Sequence, residues 1–114
     1  MIQSKDSIVK RFSKYLESIE YPEDKTSWNI AGIVKGKNAF YRFDVRDMFQ
    51  LSTKEIAQKF KTNTEADKLV LETKKDWIIL DFKELIEYGK KNNLKKVYLD
   101  SLLSNLDWNI ILPK

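Results

Sequence analysis

Apolar residues recur at three- and four-residue spacing at Ile8, Phe12, Leu16 and Ile19, with Lys10, Arg11, Lys14 and Glu17 on the other side. This period predicts an amphipathic helix over residues 7–20, ended by Pro22. The period then changes. Trp28, Ile30, Ile33 and Val34 predict a strand in which Gly32 permits a bulge or bend, followed by a turn at Lys35-Gly36-Lys37-Asn38. From Ala39 to Val45 the alternation is strict, with Tyr41, Phe43 and Val45 facing inward and Phe40, Arg42, Asp44 and Arg46 on the opposite face. This strand is expected to pair with the preceding one.

Ser52-Thr53-Lys54-Glu55 has the spacing of a capping box and predicts a short second helix with Ile56, Ala57 and Phe60 on its buried side. The apolar runs Leu69-Val70-Leu71 and Trp77-Ile78-Ile79-Leu80 flank Lys74-Lys75-Asp76, the pattern of two strands and a tight polar turn. Asp81-Phe82-Lys83-Glu84 repeats the capping logic and opens a third helix that ends near Gly89, with Lys90 and Lys91 at its negative end. A short extended piece at Val97-Tyr98-Leu99, a helical turn over Ser101 to Leu106 and a strand over Trp108 to Leu112 complete the chain. The expected fold is α/β (α+β): a single globular domain over residues 1–114, its central mixed or antiparallel sheet of four to five strands flanked by helices.

Composition narrows the chemistry. The 114 residues contain no cysteine and no histidine, which removes disulfides, thiol nucleophiles, the Ser-His-Asp mechanism and Cys- or His-ligated metals. Gly32, Gly36 and Gly89 are too dispersed to form a phosphate-cradling loop. Carboxylates with a hard cation such as Mg²⁺, lysine and tyrosine remain. The net charge of +4 favours anionic partners only modestly, and the excess is spread over both halves of the chain. The first residues lack the apolar stretch of a signal peptide, and the longest apolar run is too short to span a bilayer, so a cytoplasmic location without membrane contact is expected.

The strand Phe40-Tyr41-Arg42-Phe43-Asp44-Val45-Arg46-Asp47 carries the main candidate site. Alternation sets Arg42, Asp44 and Arg46 side by side. On a concave face the arginines would grip phosphate oxygens while Asp44 coordinates Mg²⁺. On a solvated face the same groups are ordinary ion pairs worth ~0–1 kcal/mol each. Lys35 and Lys37 in the adjoining turn extend the candidate nucleic-acid-binding set. The acidic and basic residues Asp67, Glu72 and Lys74 follow the order of a metal-dependent nuclease, but positions 67 and 72 of one strand point to opposite faces and could share a cation only across a bulge. The paired lysines at 74/75, 90/91 and 95/96 read equally as an electrostatic footprint and as solubilising charge. Trp28, Trp77 and Trp108 lie in or beside β-type apolar runs and are expected in the core.

The order helix, two strands, helix, then Thr64-Glu65-Ala66-Asp67-Lys68-Leu69-Val70-Leu71 leading into Asp76-Trp77-Ile78-Ile79-Leu80-Asp81 and Phe82-Lys83-Glu84-Leu85 resembles the second half of the restriction-endonuclease-like PD-(D/E)XK nuclease fold, over residues 28–90. The family holds Mg²⁺ and an attacking water with an acidic residue on one strand and a Glu/Asp-x-Lys on the next. The nearest matches here are Asp24 after Pro22-Glu23, and Asp44-Val45-Arg46, with arginine in the lysine position. The resemblance therefore implies Asp44 as metal ligand and catalytic residue and Arg46 as the lysine counterpart. Arginine keeps its proton and its planar breadth, so a drifted or degenerate catalytic site is implied with it. The leading expectation is a nucleic-acid-binding protein on a nuclease-like scaffold of phage or bacterial type, either a Mg²⁺-dependent phosphodiesterase or a degenerate relative. The alternative is a small protein-binding module such as a phage or bacterial inhibitor or immunity-type protein. A component of a larger complex without activity of its own is the third reading.

Overall fold

A computed structural model describes residues 5–23, 28–47, 65–92 and 103–114. The element order is α1 (Lys5–Ser13), β1 (Leu16–Glu20), β2 (Ile30–Val34), β3 (Phe40–Asp47), β4 (Lys68–Glu72), β5 (Asp76–Asp81), α2 (Phe82–Asn92) and β6 (Asn109–Pro113). All six strands join one sheet in sequential order. The sheet is mixed: β3 and β4 run parallel, and every other neighbouring pair is antiparallel.

Among the described residues six strands stand where four to five were expected, and the predicted first helix is the reason. Its second half is β1. Leu16 and Ile19 satisfy a helical period, but β2 offers an open edge, and pairing Leu16 with Val34 and Glu17 with Ile33 gives these backbone groups partners along that edge. The chain leaves α1 through a turn in which the Tyr15 N–H donates to the Phe12 carbonyl at 3.0 Å, and the Tyr15 carbonyl accepts from Lys35 N–H at 2.9 Å. A bulge between Glu17 and Glu20 puts Ser18 at φ 54°. Gly32 lies beneath it: a Cβ there would sit 2.9 Å from the Glu17 carbonyl oxygen. The expected second helix over Ser52 to Phe60, the extended piece Val97 to Leu99 and Asp24 fall outside the described residues.

Both sheet faces are covered, which explains the unbroken apolar runs of the central strands. On one side α1 packs Ile8, Val9 and Phe12 against Phe43, Val45, Val70, Trp77 and Ile79. On the other, Leu69, Leu71, Ile78 and Leu80 meet Phe82 and Leu85 of α2, with Leu106 from the chain before β6. Trp77 is buried in the first cluster, while Trp28 and Trp108 are half-buried against the second and first clusters respectively. The Asp81 carboxylate accepts the Glu84 N–H at 3.1 Å, which caps α2 as its spacing predicts.

The sheet is curled. Tyr41 on β3 and Trp108, the residue just before β6, are separated by three strand spacings, about 14 Å in a flat sheet. Their ring centroids are 5.9 Å apart. The twist folds the two strands toward each other over the α1 side and closes that end of the molecule. No helix among the described residues is long and apolar enough to cross a membrane.

Candidate functional site

The β2–β3 hairpin turns through Gly36 at φ 87°, where the left-handed backbone favours glycine, and the Lys37 N–H closes the turn on the Val34 carbonyl at 2.9 Å. Lys35 and Lys37 are exposed on either side of it. Along β3, Phe40 and Arg42 emerge on one face and are exposed, whereas Asp44 on the same face is only 2% exposed. The Arg42 backbone is fixed by Asp67: its N–H donates to Asp67 Oδ2 at 2.9 Å, and its carbonyl accepts the Asp67 N–H at 2.8 Å. This exchange sets the chain entering β4. The Arg42 side chain is left in solvent.

Asp44 and Arg46 meet each other. Arg46 donates from Nε to Asp44 Oδ1 at 2.8 Å and from Nη2 to Oδ2 at 3.4 Å, a forked arrangement that engages both carboxylate oxygens. The Val45 N–H between them donates to Asn29 Oδ1 at 2.8 Å and ties β3 to the start of β2. The strand thus brings the three predicted residues to one face, with Arg42 open to solvent and Arg46 turned onto Asp44. Among the described residues no group of three or more carboxylates gathers to hold a metal ion. Asp67 and Glu72 serve different partners: Asp67 holds the Arg42 backbone, and Glu72 lies against α1.

The other face of the sheet carries two ionic clusters, each built on a buried charged residue of β4, that the sequence did not disclose. Lys68, only 6% exposed, donates from Nζ to Asp81 Oδ1 at 2.7 Å. Its ammonium also lies 3.7 Å from the Trp108 ring centroid and 4.3 Å from that of Tyr41. The carboxylate neutralises the charge and the two ring faces solvate it, which is what burial of a lysine requires. At the far end of β4, Glu72 accepts from Arg11 Nε at 3.2 Å, from Arg11 Nη2 at 2.8 Å and from Lys114 Nζ at 3.1 Å. Burial alone would push the Glu72 carboxyl up, but the hydrogen bonds and charges of Arg11 and Lys114 together hold it below its ordinary value. The hydrogen bond to Glu72 raises the Arg11 guanidinium in turn. The only sequence signal for either cluster was a charged residue at each end of an apolar run.

A group with a depressed folded-state pKa contributes stability above its unfolded value and loses it as pH falls through the folded one. Acid titration followed by urea unfolding is therefore expected to show stability dropping below about pH 4, the unfolded glutamate range. Glu72→Gln should flatten part of that drop. An identical acid profile in the variant would refute the assignment.

Two cavities flank the Tyr41–Lys68–Trp108 stack. One of about 490 Å³ is lined by Asp67, Lys68, Asp81, Lys83, Glu87 and Lys90, among others, and its carboxylates offset its lysines. The other, about 320 Å³, lies between the β2–β3 turn and β6. Comparison of the chain with protein-family models, curated proteins and solved structures finds no match.

Proposed function

We propose that the protein binds nucleic acid through the β2–β3 hairpin, on a nuclease-like scaffold whose catalytic centre is degenerate. One observation carries this reading. Lys35, Lys37 and Arg42 are exposed, make no ion pair among the described residues and lie along one hairpin, whereas the other exposed lysines without an ion pair, such as Lys10, Lys75 and Lys90, are distributed over separate elements. Exposed Phe40, one pleat from Arg42 on the same face, adds a ring beside the cations, the combination that serves phosphate attraction and base stacking. Arg46 forked onto Asp44 favours binding over hydrolysis, because a cation at that carboxylate would have to displace the guanidinium.

Replacing Lys35, Lys37 and Arg42 together by alanine is expected to weaken binding of a fluorescent single-stranded oligonucleotide at low salt by more than tenfold, with an unchanged melting temperature. Unaltered affinity would remove the hairpin from the account. Plasmid and RNA incubated with Mg²⁺ are expected to stay intact. Cleavage that disappears in Asp44→Ala would restore a catalytic role to that carboxylate.

A protein partner is the second reading, favoured by the exposed Tyr21 (60%), Phe40 (45%) and Ile19 (39%) on the β1–β3 side of the sheet. Binding that persists in high salt and survives the triple substitution would select it.

A further inference from the structure

The cavity of about 320 Å³ is bordered by Lys37, Asn38 and Ala39 from the hairpin, Tyr41 from β3, and Trp108 and Asn109 at the start of β6, among others. Its size is at the lower end of the ~300–1,000 Å³ range of small-ligand sites, which suits one planar heterocycle better than an extended ligand. Trp108 and Tyr41 meet edge to face at 78°, and Lys68 lies against both rings without lining this cavity. The rings are thus fixed from behind by a buried ammonium and need no ordering when a ligand arrives. Asn109 donates from Nδ2 to the Leu106 carbonyl at 3.5 Å, which leaves its Oδ1 as an acceptor. Asn38 is exposed and offers both a donor and an acceptor. Lys37 belongs both to this wall and to the cationic turn.

We propose that this cavity receives a single unpaired base of a single-stranded nucleic acid, with Tyr41 and Trp108 as the apolar walls, the Asn38 and Asn109 amides at the base edge, and Lys37 on the adjoining phosphate. The inference rests on the reading of the hairpin as the nucleic-acid-binding element and adds the form of the ligand. A duplex keeps its bases stacked inside and cannot present one to a recess without flipping it, whereas a single strand offers each base freely. Ribose and deoxyribose strands share this chemistry.

The test compares three labelled 12-nucleotide strands by fluorescence anisotropy at one low salt concentration: deoxyuridine DNA, uridine RNA and abasic DNA. Stacking of a base on an aromatic ring contributes roughly 1–3 kcal/mol, so the better base-bearing strand is expected to bind about fivefold or more tightly than the abasic one. Ala39→Phe fills the cavity without removing core atoms and should erase that difference while leaving affinity for the abasic strand intact. Asn38→Ala, at an exposed position, should narrow it and serves if the larger side chain is not accommodated. Whichever base-bearing strand binds more tightly identifies the natural sugar. Equal binding of base-bearing and abasic strands, or a difference that persists in both variants, would overturn the base pocket while leaving the hairpin reading in place. Failure of all three strands to bind would overturn both.

Discussion

Phe12→Ala is expected to cost about 3–5 kcal/mol of folding stability, the range for removing a fully buried aromatic ring, and so a large part of the 5–15 kcal/mol that holds a typical domain. Phe12 has no solvent exposure, and its ring stands 5.3 Å from those of Phe43 and Trp77 and 6.4 Å from that of Tyr15. With Ile8 and Val9 it fixes a nine-residue helix to the concave face of the sheet. A helix this short is marginal on its own in water, so its order derives from this packing. The substitution should shift the urea midpoint strongly and reduce helical circular dichroism. A loss below about 1 kcal/mol would mean that α1 does not close this core.

The second large effect is expected at Asp81, where one carboxylate performs two tasks. Oδ1 accepts from buried Lys68 at 2.7 Å, and Oδ2 caps α2 through the Glu84 N–H at 3.1 Å. Asp81→Ala removes both and leaves an ammonium whose side chain is only 7% exposed without its counter-charge. Breaking a buried pair from one side typically costs about 3–5 kcal/mol, and loss of an N-cap about 1 more. The ring faces of Tyr41 and Trp108 offset part of this, so a total near 3 kcal/mol is expected. Asp81→Asn keeps a capping oxygen and loses only the charge, and it should retain about 1 kcal/mol relative to Asp81→Ala. Urea unfolding of the pair separates the tasks: equal stabilities would show that the cap contributes nothing measurable.

The elements legible in the sequence are those whose local pattern and tertiary placement agree. Tyr41, Phe43 and Val45 alternate because one face of β3 meets α1, and Leu69-Val70-Leu71 is continuous because β4 is covered on both sides. Asp81 reads as a cap and acts as one. β1 was hidden because Leu16 and Ile19 fit a helical period equally well, and the open edge of β2, not local propensity, decides its conformation. Glu72 reads as the polar flank of a hairpin. Its place on the α1 side follows from parity, but its partners lie 61 positions upstream and 42 positions downstream, and spacing along the chain carries no trace of them. For the same reason Arg42, Asp44 and Arg46 were foreseeable as neighbours on one face, whereas the burial of Asp44 that draws Arg46 onto it and leaves Arg42 outside depends on what the sheet curls around.

The salt dependence of single-strand binding tests the central claim most directly. Each phosphate neutralised on a single strand contributes about −0.7 to the slope of log affinity against log salt, so engagement of Lys35, Lys37 and Arg42 predicts a slope near −2. Substituting Arg42 alone by alanine should bring it to about −1.4. A flat dependence, or a slope that the Arg42 substitution leaves unchanged, would contradict the assignment of this hairpin to nucleic acid.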